Sequence, residues 1–315
     1  MRNYPKPKIK EAGFGDALLS GSLCVQTISQ FAPAKLNLFL AITGRRPDGF
    51  HNLVSVAAPL NWGDQLDATS AAETSLWCDD AALPVDESNL VMKAAAAFRA
   101  ETGWSGGVAF RLTKRIPQGA GLGGGSSNAV AALRAMNALA GHPLDEDGLR
   151  GLAARLGSDC ALFLGGAPVV MRGRGERIDQ LGAEELTRWR GQRVFIFKPG
   201  FGVATPWAYR QMAARPETYL PDATAEARLR AWREGNGSVE ALLFNNMESV
   251  VFAKYPALPV LHDILRERFG LHSRMSGSGS ASFALVPEAM NLAPVEAVVR
   301  SAWGPSACTV DTRLA

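Results

Sequence analysis

Pro117-Gln118-Gly119-Ala120-Gly121-Leu122-Gly123-Gly124-Gly125-Ser126-Ser127-Asn128-Ala129 puts five glycines into seven positions and ends at what reads as a helix start. Glycine permits positive φ and close backbone approach to a ligand, and a loop that opens a helix aims unpaired N–H groups and the positive dipole end at an anion. Phosphate binding is the chemistry this implies; a flexible turn is the alternative. It is not a Walker A loop, because the chain contains no Gly-Lys pair. Gly119-x-Gly121-x-x-Gly124 also satisfies the dinucleotide fingerprint, with Asp145 about 20 residues on. However, Arg115 to Gln118 separate it from the preceding strand, whereas a Rossmann turn leaves its strand directly. Gly103-Trp104-Ser105-Gly106-Gly107 matches a hydrolase G-x-S-x-G but leads into a strand, so no nucleophile elbow is expected.

A second glycine/serine loop, Ser276-Gly277-Ser278-Gly279-Ser280, reads alone as a tight turn and beside the first as a second wall of a phosphate site. Asp159 follows Gly157-Ser158; it is a candidate general base, although a carboxylate there is more often a turn or helix cap. Lys35 and Asn37 stand together on one side of a strand and would otherwise be solvated. No spacing in the sequence shows that these three meet.

The elements that must hold these residues follow from periodicity. Ala34 to Ile42 alternates, with Leu36, Leu38, Leu40 and Ile42 expected on one face. A turn through Arg46-Pro47-Asp48-Gly49-Phe50-His51 leads to separate strand-like runs at 54–60, 65–69 and 75–78. Ser88 or Asn89 caps a helix, 108–114 returns to a strand, and Ala129, Leu133, Met136 and Ala140 recur at helical spacing after the glycine loop. A helix over 146–156 and strands at 169–171 and 177–181 follow. A polar stretch at 182–192 is the expected domain boundary. Beyond it come strands at 194–197, 282–286 and 308–312, and helices from Thr205, near 225–233, at 259–269 and at 294–303. Strands and helices interleave without a βαβ period, which favours α+β.

At 315 residues the chain has room for about two domains. A net charge of +3 with no dense Lys/Arg block gives nucleic-acid binding little support. The four cysteines and four histidines show no metal-ligand spacing. No apolar run reaches the ~18 residues of a membrane span, and the start lacks a signal-peptide h-region, so a cytoplasmic protein is expected. Residues 1–30 read as a poorly ordered leader, the first strand beginning near Phe31.

Four segments together resemble the GHMP small-molecule kinases: Ala32-Pro33-Ala34-Lys35-Leu36-Asn37-Leu38, the Pro117–Ala129 loop, Leu156-Gly157-Ser158-Asp159, and Met275-Ser276-Gly277-Ser278-Gly279. The resemblance runs from about residue 31 to the C-terminus. It implies a ribosomal-S5-domain-2-like N-terminal domain (31–186) and a ferredoxin-like C-terminal domain (187–315), with the site between them. ATP and Mg²⁺ are implied, with Asn89, Lys114, Pro117, Gly119 to Asn128, Gly277, Ser278 and Gly279 on the ATP side and Ser126 or Ser127 toward phosphate or metal. Asp159 would accept the hydroxyl proton beside Lys35, and Asn37 would line the acceptor site. The GLGGGSSNA form of the loop and the Arg46–His51 turn resemble the branch that phosphorylates a cytidine-diphospho polyol for non-mevalonate isoprenoid synthesis. There Phe50 and Tyr209 would sandwich cytosine and His51 would hydrogen-bond it; where the branch commonly has Tyr, Phe50 keeps the stacking face without the hydroxyl. Kinases of homoserine, mevalonate or a sugar, a Rossmann oxidoreductase and an RNA-binding module are the other readings. The resemblance implies a small-molecule substrate, no nucleic acid or membrane partner, and a monomer or weak homodimer.

Overall fold

The computed structural model describes residues 26–235 and 238–315. Residues 1–25 of the expected leader lie outside the described residues. The chain is already paired before residue 31: β1 (Thr27–Arg45) runs antiparallel to β2 (His51–Ala71), with Thr27 opposite Thr69. The two runs expected at 54–60 and 65–69 are thus one long strand. Gly63 lets it continue, because an added Cβ there would sit 2.2 Å from the Ala32 carbonyl oxygen of the partner strand.

Three irregularities interrupt the β1–β2 register, one of them between Asn37 and Phe39. A bulge shifts the side-chain alternation by one residue. Ala34, Leu36 and Leu38 therefore enter one core while Leu40 and Ile42 enter another, and the single apolar face expected for this strand is not formed. The same shift puts Lys35 and Asn37 on the side of Leu40, where all three line one cavity.

The remaining elements of the first half are β3 (Ser75–Cys78), α1 (Leu90–Thr102), β4 (Gly107–Thr113), α2 (Gly124–Leu139), α3 (Glu146–Leu156), α4 (Leu162–Gly165), β5 (Val169–Gly173) and β6 (Arg177–Gln180). Asn89 caps α1 by accepting from Val91 N at 2.9 Å. Nearly every side chain of α2 from Ser127 to Met136 is buried, and Ala129, Ala131, Ala132 and Ala135 let its backbone lie close to the sheet. Leu133 and Met136, fully buried, add about 1.5–3 kcal/mol each.

The second half contains α5 (Ala183–Thr187), β7 (Arg193–Lys198), α6 (Thr205–Ala214), α7 (Asp222–Glu234), α8 (Val239–Leu242), β8 (Phe244–Asn245), α9 (Glu248–Lys254), α10 (Ala257–Phe269), β9 (Ser273–Met275), β10 (Ser282–Leu285), α11 (Ala293–Trp303) and β11 (Cys308–Arg313). Two sheets result, a seven-stranded one ordered β3-β4-β2-β1-β8 with β5 attached to β2 and β6 to β5, and an antiparallel four-stranded one ordered β11-β7-β10-β9. This is α+β. β4 leads to the glycine loop, and the next strand, β5, pairs with β2 and not with β4, so the dinucleotide-binding βαβ unit is not formed there. Gly103 is the left-handed C-cap of α1, a helix end followed by β4, which disposes of the hydrolase match. The four-stranded sheet lies wholly after residue 187, whereas β8 returns to pair with β1 beside Phe39 and Leu40. That return brings Asn245 to the glycine loops.

Candidate active site

Gly119, Gly121 and Gly123 all take positive φ, at 58°, 75° and 74°. Gly123 is the N-cap of α2, so the helix opens within the glycine run itself. Its first amides, at Gly124, Gly125 and Ser126, meet the cavity without a capping side chain. The first turn of the helix also separates the two serines. Ser126 lines the cavity, whereas Ser127 turns inward, 1% exposed, with no partner for its hydroxyl. Ser127 is therefore not placed to meet phosphate or metal.

The second loop packs directly on the first. Ser280 N donates to Gly119 O at 3.2 Å, Ala281 N to Ala120 O at 3.1 Å and Ser276 Oγ to Gly121 O at 3.1 Å. Gly277 and Ser278 reach the cavity. Gly279 does not line it; its backbone lies against Met275, whose Sδ would be 2.5 Å from an added Cβ. Asn245, which no local pattern marked, donates to Met275 O and Gly277 O at 2.8 Å each and accepts from Met247 N at 2.9 Å. Glu248 accepts from Met275 N at 2.7 Å. Together they fix the second loop from below.

Lys35 and Asp159 meet. Lys35 Nζ lies 3.3 Å from Asp159 Oδ2 and donates to Asn37 Oδ1 at 2.5 Å. Asn37 Nδ2 donates onward to Ser55 Oγ at 2.9 Å, and Ser55 to Phe39 O at 2.7 Å. The backbone joins this group to the loop through Lys35 N, which donates to Leu122 O at 2.9 Å. Asp159 sits in the turn between α3 and α4. The Lys35 side chain is 4% exposed and that of Asp159 36%, so the carboxylate is open to a ligand while the ammonium is held behind it.

At the other end of the cavity the Arg174 guanidinium stands 4.7 Å from the centre of the half-exposed Phe50 ring. His51 is buried, its ring 4.9 Å from that of Tyr209 and its Nε2 3.1 Å from Tyr219 Oη. Only Nδ1 is then left for a ligand. Burial, with Arg45 adding to it, lowers the His51 pKa and keeps the ring neutral at pH 7. Burial and the Asp159 charge push the Tyr209 phenol above its ordinary range, which ties that tyrosine to the Asp159 end. Tyr219 and Arg174 were missed because neither lies in a recognisable pattern.

On the third side are Asn89, Lys114, Pro117 and Asn128. Both ends of the Asn89 amide are engaged, its Nδ2 donating to Pro84 O at 2.7 Å. Lys114 Nζ donates to Asn128 Oδ1 at 3.1 Å and also pairs with Asp64. Lys35, Asn37, Asp159, Phe50, His51, Tyr209, Arg174, Asn89, Lys114, Asn128 and both glycine loops bound a single cavity of about 1260 Å³. Among the described residues no cluster of three or more His, Cys, Asp or Glu could hold a metal ion, and no helix is long and apolar enough to cross a membrane.

A glycine loop opening a buried helix, a second glycine loop docked on it and a Lys–Asp pair beside both make this the site of a small-molecule kinase. The chain belongs to the GHMP kinases: residues 89–167 match the GHMP kinases N terminal domain and residues 225–305 the GHMP kinases C terminal. It is 41% identical to the 4-diphosphocytidyl-2-C-methyl-D-erythritol kinase of Chlorobium phaeobacteroides (strain BS1), over 84% of this chain and 91% of that one. The enzyme of the same name from Methylacidiphilum infernorum (isolate V4) is 37% identical over 82% and 86%. A crystal structure of 4-(cytidine 5'-diphospho)-2C-methyl-D-erythritol kinase superposes with a TM-score of 0.72 at 36% identity, covering 91% of this chain and all of that one. The mevalonate kinase of Methanococcus jannaschii shares the fold, with a TM-score of 0.67 at 14% identity.

Proposed function

We propose that this chain transfers the γ-phosphoryl group of ATP to the C2 hydroxyl of 4-diphosphocytidyl-2-C-methyl-D-erythritol, giving the 2-phosphate and ADP. One observation carries the reading: a single cavity of about 1260 Å³ is bounded by a phosphate-type loop, a Lys35–Asp159 pair and a His51/Tyr209/Phe50 group. That volume exceeds the ~300–1,000 Å³ of an ordinary ligand pocket and suits two substrates end to end. The names of the relatives support the acceptor.

In this reading the α2 amides and the two glycine loops hold the phosphates of ATP, with Asn89, Lys114 and Pro117 toward the nucleoside. Asp159 accepts the hydroxyl proton as the acceptor oxygen bonds to phosphorus and the bond to the ADP oxygen breaks. Lys35, fixed by Asn37 and Ser55, orients the hydroxyl and places positive charge beside the reacting oxygens. Such a loose transfer asks mainly for positioning and electrostatic stabilisation. Ser126, which lines the cavity, would offer an oxygen to Mg²⁺, an ion that keeps water and substrate phosphate in most of its positions. Bound there, it supplies charge neutralisation on the phosphates. Residues 31–186 form the ATP-binding half and 187–315 the second half, in a cytoplasmic monomer or weak homodimer.

The test is ADP release from Mg²⁺-ATP with the cytidine compound, mevalonate, homoserine or galactose, each against a blank without acceptor. Turnover confined to the cytidine compound is expected; turnover only with another acceptor discards the cytosine site. A companion variant reads that site directly. Phe50→Ala combined with Tyr209→Ala removes both stacking faces and should raise the KM for the cytidine substrate roughly tenfold or more. The KM for ATP should stay within about twofold, since neither ring is on the glycine-loop side; an unmoved acceptor KM would reject the sandwich.

A further inference from the structure

Asp64 lies in the middle of β2, 0% exposed, and does not line the cavity. It nonetheless collects four donors: Arg115 N at 2.7 Å and Ile116 N at 2.8 Å on Oδ1, and Asn128 Nδ2 at 2.9 Å together with Lys114 Nζ on Oδ2. A carboxylate buried to this degree is sustained only by such pairing. Its partners are not scattered. Arg115 and Ile116 lead out of β4 into the glycine loop, and Asn128 stands at the start of α2.

Lys114 shows what the arrangement does. An ammonium has three donors; one goes to Asp64 and one to Asn128 Oδ1. The residue lines the cavity with its side chain only 9% exposed, and its Nζ would be 3.3 Å from a Cβ placed on Gly124 in the first turn of α2. One N–H of an ammonium held in place by two partners is therefore left for a ligand beside the phosphate-binding turn.

We propose that Asp64 is a positioning residue of the donor-nucleotide site, aiming Lys114 and Asn128 into the cavity from behind while pinning the strand end that enters the glycine loop. This rests on the reading of that part of the cavity as the ATP site. It assigns Asp64 no contact with substrate.

A double-mutant cycle of Asp64→Asn and Lys114→Met tests it, reading ATP affinity by titration without acceptor, then the acceptor KM and the melting temperature. In Asp64→Asn the new amide still accepts from Arg115 N and Ile116 N but no longer carries the negative charge that Lys114 pairs with. ATP affinity should fall roughly tenfold with the acceptor KM within about twofold, and adding Asp64→Asn to Lys114→Met should weaken ATP no further. Unchanged ATP affinity in Asp64→Asn, or losses that multiply in the double variant, would overturn the proposal. Should Asp64→Asn not fold, Asn128→Leu removes the second anchor of Lys114 and leaves the Asp64 backbone bonds intact. A roughly threefold loss of ATP affinity is then expected, and none refutes the assignment. Because the titration needs no acceptor, an error in the acceptor leaves it intact, whereas a wild-type chain that binds no ATP would overturn the donor site and this inference together.

Discussion

Asp159→Asn is expected to lower kcat by about three orders of magnitude while ATP affinity stays within about twofold, as for loss of a general base. The amide keeps the shape of the side chain and can still accept from Lys35, whose ammonium stands 3.3 Å from Asp159 Oδ2. What disappears is the oxygen able to take a proton and the negative charge that balances Lys35. The α2 amides and the two glycine loops are untouched, which is why binding and turnover should separate. Single-turnover phosphoryl transfer, with a parallel ATP titration, measures both. A near-normal rate would leave Lys35 and the loop as the whole of the catalytic machinery. Equal losses in rate and ATP affinity would make Asp159 a structural counter-ion.

Gly121→Ala should cost on the order of 3 kcal/mol of stability and remove most ATP binding. Two penalties combine at this position. At a φ of 75° an L side chain meets its own backbone, and the added Cβ would lie 2.0 Å from Ser276 O and 3.0 Å from Gly279 N. Both obstacles are backbone, held by Asn245 and by the Ser280 and Ala281 amides, so neither can swing aside as a flexible side chain would. The loops must part. Thermal unfolding of the variant beside Gly141→Ala is the measurement. Gly141 also has a positive φ, at 78°, but open space around it, so it isolates the conformational part of the cost. Equal melting shifts in the two variants would show that the loop-to-loop contact is soft.

Much of this site was legible one segment at a time. The glycine loop announced an anion site, Asn89 capped its helix and 146–156 formed the helix expected, because each is a local matter of dihedral preference, capping and period. Elements of two to seven residues such as α8, β8, α9 and β9 went unseen, being too short to complete a pattern. The face of β1 was misread because a bulge between Asn37 and Phe39 leaves no mark in residue type. Ser126 and Ser127 could not be told apart for a related reason: which of two neighbours on a helix faces the cavity depends on where the helix starts and how it packs.

By itself, then, the sequence determined the two glycine loops, the α+β alternation and, through four ordered segments, the kinase family. Only the tertiary structure decided that Asp159 meets Lys35, that Asn245 returns on β8 to hold the second loop, and that Asp64 stands behind Lys114, 50 residues away. Local propensity acts over a turn or a few residues of strand and can be read from order alone. Pairing between distant residues depends on register, bulges and the close approach of backbones, and these are fixed only when the sheets and α2 pack together.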